Sequence, residues 1–148
     1  MNSSKSLFAV MAFLTLAACQ SMPAPGSVQV RLEPKSGSSV TGTVTFTPSS
    51  DGILVIANLK GLTPNAEHGF HVHEKGDCSA SDAMSAGGHF NPFGSAHGAA
   101  GANHHAGDMP NLRADAYGNA SYRTLLAGIA IEGSQGVLGR SVVVHRDP

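Results

Sequence analysis

Eight histidines stand in a chain of 148 residues, and six of them are spaced as metal ligands would be. His71 and His73 lie two apart in Gly69-Phe70-His71-Val72-His73-Glu74. In a strand that spacing puts both imidazoles on one face and turns Val72 to the other. His145 closes the apolar run Val142-Val143-Val144 and could bring a third imidazole from a neighbouring strand. His89, His97, His105 and Asp108 follow at intervals of eight, eight and three. Three imidazoles and a carboxylate suit tetrahedral zinc. Taken singly, a histidine on a strand is more often solvated or hydrogen-bonded than a ligand, and a His-rich loop can be merely soluble. The whole set favours metal, because every candidate donor is nitrogen or carboxylate. Cys78 is the one thiol apart from Cys19, which rules out iron–sulfur clusters and cysteine-type zinc fingers.

The elements that must hold these ligands are strands. From residue 27 onward apolar residues alternate: Val28, Val30 and Leu32, then Val40, Gly42, Val44 and Phe46, then an apolar segment Ile53 to Leu59. Turn chemistry separates them, with Gly and three Ser between Pro34 and Ser39, and Ser, Asp and Gly after Pro48. Gly69–Glu74, Gly118–Leu125, Ala127–Glu132 and Ser141–His145 are further strand candidates. Short strands at this spacing predict an all-β, antiparallel sandwich or barrel. Between Glu74 and Tyr117 the alternation fails in a stretch rich in Gly, Ala, His, Asn and Asp. A segment that polar buries too little to order itself, so an irregular loop tied down by metal is expected there.

Composition narrows the function classes. Nine Lys and Arg against ten Asp and Glu give no basic stripe to neutralise phosphates, so no nucleic-acid partner is expected. With 18 Gly, no Trp and 13% charged residues, the chain suits one loop-rich β domain better than a helical bundle. The first 18 residues resemble a signal peptide. Lys5 supplies the positive charge, and Leu7 to Ala18 is apolar except for Thr15, which is well short of the roughly 20 residues of a membrane-spanning helix. Leu16-Ala17-Ala18-Cys19 is similar to the lipobox of bacterial lipoproteins, in which the Cys is lipidated and becomes the first mature residue. An ordinary cleavable signal with an incidental Cys is the alternative. Residues 19–26, with Pro23, Pro25 and Gly26, would tether a domain spanning 27–148 to the membrane. Either reading exports the chain to the periplasm or cell envelope.

The motifs as a series resemble the copper/zinc superoxide dismutase family. They run Gly61-Leu62-Thr63-Pro64, His68-Gly69-Phe70-His71-Val72-His73-Glu74, Gly76-Asp77-Cys78, Gly88-His89-Phe90-Asn91-Pro92, His97-Gly98, His105-Ala106-Gly107-Asp108 and Gly139-Arg140-Ser141-Val142-Val143-Val144-His145. The resemblance covers residues 27 to 148 in order and implies a Greek-key β-sandwich with long metal-binding loops. It assigns His71, His73, His89 and His145 to copper, and His89, His97, His105 and Asp108 to zinc, with His89 as the bridging imidazolate. His104 is left as an accessory or solvent-facing neighbour, and His68 as a structural hydrogen-bonding residue. Cys78 would form the family's disulfide, with its partner absent from this chain. The implied activity is conversion of superoxide to dioxygen and hydrogen peroxide by copper redox cycling, with His89 taking up and returning a proton. Lys75 is weighed as a local positive charge against its reading as a solvated surface lysine.

Only Arg146-Asp147-Pro148 follow His145, whereas the family continues with an active-site Arg, the second disulfide Cys, an Asp linking the two metal sites and a last strand. Arg146 is a poor substitute for that Arg, since neighbouring strand residues point to opposite faces. An incomplete chain with its last strand missing is therefore expected; a true chain of this length should fold weakly and turn over slowly. The competing function is a copper- and zinc-holding lipoprotein that buffers or delivers metal with little catalysis. A purely structural envelope protein would leave the ordered metal-type positions to coincidence. Self-association as a homodimer is left open.

Overall fold

A computed structural model describes residues 24–96 and 104–148. Residues 1–18, Cys19 and His97 lie outside the described residues, so the expected lipidation site and one expected zinc ligand have no structural account. Among the described residues there are seven strands: β1 (Val28–Leu32), β2 (Thr41–Ser49), β3 (Gly52–Lys60), β4 (Glu67–His73), β5 (Asp108–Arg113), β6 (Ala120–Ala127) and β7 (Ser141–Val144). They form two antiparallel sheets, one ordered β1-β2-β3-β6 and the other β5-β4-β7. The chain leaves the first sheet after β3, builds β4 and β5 in the second, and returns with β6 beside β3. This crossing connection is of the Greek-key kind.

The alternation seen in the sequence is what fills the space between the sheets. Val44 and Phe46 of β2 sit opposite Ala57 and Val55 of β3, and all four are buried. From the other sheet Phe70, Val72 and Leu112 close the core, each almost without exposure. Phe70 meets the ring of Tyr122 on β6 edge to face, centroids 5.3 Å apart, and so joins the two layers. The β2–β3 hairpin turns in two residues, Ser50 and Asp51. Gly52 closes it at a φ of 146°, where an added Cβ would come 2.0 Å from the Leu126 carbonyl of β6. Only glycine permits that approach.

Two expectations are corrected. Ala127–Glu132 is not a strand: β6 ends at Ala127, Gly128 turns the chain at a φ of 68°, and Ala130 keeps one isolated bridge, to Gly136. The interval from Glu74 to Tyr117 is not irregular throughout, for it contains β5. Pro110 and Asn111 hid β5, because both residue types are depleted in strands. The strand tolerates them because it lies at the sheet edge and carries a bulge. Between the pairs His68–Leu112 and Phe70–Met109, one more residue is spent on β5 than on β4.

The described stretches of the loop beside β4 are anchored by backbone. Glu74 N–H donates to Gly88 O at 2.9 Å, Lys75 N–H to Ala86 O at 3.0 Å, and Phe90 N–H to Val72 O at 2.8 Å, so residues 86–90 run alongside the end of β4. Val72 N–H donates to Gly107 O at 2.9 Å, and Gly107 N–H to Phe90 O at 2.8 Å. These three bonds close a ring that ties together β4, the stretch carrying His89 and the stretch leading to Asp108. A Cβ on Gly107 would lie 2.4 Å from Val72 O.

Candidate metal centre

Strand β4 presents His71 and His73 on one face, as their two-residue spacing requires, with Phe70 and Val72 in the core behind them. His145 follows the last residue of β7, and its N–H donates to Gly69 O at 2.8 Å, extending the pairing with β4. His89 arrives from the docked stretch through an isolated bridge with His73. The four rings converge: the His71 centroid lies 4.0 Å from that of His89 and 5.0 Å from that of His145, and His73 lies 5.0 Å from His89. One ring nitrogen from each falls within 4.8 Å of the others.

Neighbouring groups settle which nitrogens face inward. His73 Nδ1 donates to the carbonyl of Gly87 at 2.8 Å, which leaves a lone pair on Nε2, and that atom sits 3.3 Å from His145 Nε2. His71 Nδ1 is buried with no hydrogen-bond partner. Buried polar atoms normally have one, so an orphaned nitrogen on a ring that belongs to this four-histidine group is what a nitrogen-binding metal could satisfy. Burial pushes the His71 imidazole down to about 4, helped by the positive charge that His89 and His145 would carry if protonated. Burial likewise lowers His73 and His145. At neutral pH these rings are neutral, so a metal would meet lone pairs and not protons.

His89, His105 and Asp108 make a second group, again with donor atoms within 4.8 Å. Asp108 is buried at the start of β5; its Oδ1 lies 2.7 Å from His89 Nδ1, and its Oδ2 accepts the His105 backbone N–H at 3.0 Å. The His105 ring Nδ1 lies 3.4 Å from Oδ2. Burial by itself would raise the Asp108 carboxyl, but the bonds from His89 and from the His105 N–H outweigh it and hold Asp108 below the ordinary carboxylate range. An ionised carboxylate beside two imidazoles is a donor set zinc accepts. The geometry selects His105; its neighbour His104 turns its Nδ1 to the carbonyl of His105 at 2.7 Å. His68 is buried, and its Nδ1 donates to the His145 carbonyl at 3.0 Å, orienting the backbone of a candidate ligand.

His89 belongs to both groups. With Nδ1 committed to the Asp108 side, Nε2 is left for the side of His71, His73 and His145, so one imidazole separates two sites. Among the described residues Cys78 is a free, exposed cysteine, and Lys75 and Arg146 are exposed. Three positioning features escaped the sequence reading: the Gly87 carbonyl, the Val72–Phe90–Gly107 ring and Arg140. Each acts through backbone atoms or side chains far apart in sequence; the doublet Gly139-Arg140 before the β7 run was the one available signal.

An antiparallel β-sandwich holding two donor clusters that share an imidazole defines a class, the binuclear metal proteins. Comparison with known proteins narrows it. The family model for copper/zinc superoxide dismutase matches residues 40–148, and the chain belongs to that family, whose members use copper and zinc. It is 43% identical over 109 residues to a "Superoxide dismutase [Cu-Zn]" of Paramecium bursaria Chlorella virus 1, a match covering 73% of this chain and 58% of that relative. It is 39% identical over 115 residues to "Superoxide dismutase [Cu-Zn] 2" of Aquifex aeolicus, covering 74% and 67%. The chain thus spans somewhat under two thirds of the viral relative's length. Among solved structures, a SOD-like protein from Bacillus subtilis matches with a TM-score of 0.72 at 31% identity, over 80% of this chain and 83% of that one. The clock protein EA4 matches with a TM-score of 0.72 at 35% identity, over 85% and 78%.

Proposed function

We propose that this protein is a copper/zinc superoxide dismutase that works at the cell envelope. The observation that carries the reading is His89, a single imidazole shared by a group of four histidines and a group containing a carboxylate. His71, His73, His89 and His145 would hold copper. His89, His105 and Asp108 would hold zinc together with His97, which is assigned from its place in the motif series. Copper held by imidazoles supplies reversible one-electron exchange, while zinc, which has no redox chemistry, organises the site.

The residues do the rest. His73 is fixed in tautomer and angle by the Gly87 carbonyl. His145 is fixed through its backbone by His68 and Gly69. His89 is held by Nδ1 on the Asp108 side, which leaves Nε2 as the atom that could hold a proton and give it up. Two superoxide ions and two protons then yield one dioxygen and one hydrogen peroxide, the stored proton going to the peroxide. Export follows from the signal-like residues 1–18, and lipid anchoring from the lipobox Cys19. Mass spectrometry of the mature N-terminus in a membrane fraction tests the anchor; an unmodified N-terminus other than Cys19 would overturn it.

The deciding experiment measures superoxide dismutation by the purified mature chain loaded with copper and zinc, with metal content determined on the same sample. Activity abolished by His71→Ala supports the dismutase. One copper and one zinc bound with negligible turnover would replace it with the second reading, a metal-holding envelope protein.

A further inference from the structure

Arg140 lies outside both donor groups, yet it touches the chain neighbours of two ligands at once. Its guanidinium carbon stands 3.5 Å above the ring of Phe90, the residue after His89. Its Nη1 donates to the carbonyl of Glu74, the residue after His73, at 2.8 Å. Its Nε donates to the carbonyl of Gly136 at 2.7 Å.

The surroundings are built to keep it there. The loop that supplies Gly136 is closed by Val137 N–H to Ala130 O at 3.0 Å and by Arg140 N–H to Val137 O at 3.2 Å. Ser141 Oγ donates to Lys75 O at 2.7 Å, so consecutive residues of the β7 approach grip consecutive carbonyls beyond His73. Gly76 allows this contact, since a Cβ there would fall 2.7 Å from Gly139 O. Phe90 is buried, and its own N–H and C=O take part in the ring with Val72 and Gly107.

We infer that Arg140 is a positioning residue that sets the bridging imidazole of His89 relative to His73. A planar guanidinium can stack on the Phe90 ring and donate in its own plane to two carbonyls; an ammonium cannot do all three, so lysine preserves the charge and loses the geometry. The inference rests on the copper/zinc reading above. It is distinct from a role for Arg140 as a charge attracting the substrate anion, because a charge would act equally well as lysine.

The test compares the parent chain with Arg140→Lys and Phe90→Leu, each loaded with copper and zinc. The readouts are the Cu(II) electron paramagnetic resonance spectrum, copper retention against a competing chelator, circular dichroism for fold, and the ionic-strength dependence of turnover. Both variants are expected to fold, to shift the Cu(II) hyperfine pattern, and to lose roughly tenfold or more in copper retention, as loss of a ligand-orienting contact does. Arg140→Lys with the parent's spectrum and retention overturns the inference. So does a variant whose spectrum is unchanged while turnover alone falls with an altered salt dependence, which would make Arg140 an anion guide. If Arg140→Lys fails to fold, Phe90→Leu decides by the same spectrum. A parent that takes up no copper would show no Cu(II) signal at all; that outcome overturns the dismutase reading itself.

Discussion

At the residue scale the centre depends on small preferences in ring and carboxylate chemistry. Asp108 is ionised because two donors reach its oxygens from different parts of the chain, His89 from the docked stretch and the His105 N–H from the turn before β5. Replacing it by Asn keeps the shape and removes the charge. Asp108→Asn is expected to lower zinc retention by at least about tenfold, with copper retention falling less, as seen by metal analysis after dialysis against chelator. Equal loss of both metals would mean that Asp108 serves the whole loop and not one site. His73 depends on the Gly87 carbonyl in the same way, but no side-chain substitution removes a backbone acceptor.

At the element scale, the seams between β4, β5 and the docked stretch decide whether the ligands meet. Gly107→Ala forces a methyl group against Val72 O, and backbone cannot yield as a side-chain tip does. The substitution is expected to destabilise the chain by about 1–3 kcal/mol in urea unfolding and to weaken both metal sites together. Stability at the parent's level with both metals retained would show that the ring of three bonds carries little. Tyr122 makes the other seam: its hydroxyl donates to Pro110 O at 2.9 Å, linking β6 to the bulged β5. Tyr122→Phe should cost about 0.5–1.5 kcal/mol. Burial pushes the Tyr122 phenol up to about 12, so the folded chain holds this proton more tightly than the unfolded one. The contribution is complete below pH about 10, the ordinary phenol value, and is lost as pH rises from there toward 12. Urea midpoints between pH 9 and 12 in parent and Tyr122→Phe check this, with the difference between the two chains shrinking as the phenol ionises.

At the scale of the whole molecule, two sheets packed on one core hold ligands that come from β4, β5, the end of β7 and the stretch between β4 and β5. Ions that bind these ligands only when assembled must stabilise the folded chain by mass action, by about 4 kcal/mol at a free concentration a thousandfold above the dissociation constant. Scanning calorimetry of loaded and chelator-treated protein should show a large rise in Tm on loading, and His71→Ala should show a smaller one. An unchanged Tm would mean that no site of useful affinity forms.

Much of this was already legible in the sequence. His71 and His73 share a face because a strand repeats every two residues. His145 was placed by the Val142-Val143-Val144 run, and the sandwich by the alternation through β1, β2 and β3. Periodicity is local, so the chain carries it openly. What the sequence could not disclose depends on groups distant in the chain: β5 formed despite Pro110 and Asn111 because β4 supplied its partner, and Ala127–Glu132 failed as a strand because it meets only its own loop, at the single bridge from Ala130 to Gly136. The choice of His105 over His104, suggested by motif resemblance, acquired its physical reason only from the position of Asp108. The grip of Arg140 on Glu74 and Phe90 appears only when β7 is laid beside β4. The sequence determined which donors exist and which strands could carry them; tertiary packing decided which nitrogen of His73 and of His89 faces the centre, because that depends on the Gly87 carbonyl and the Asp108 carboxylate brought in from elsewhere in the fold.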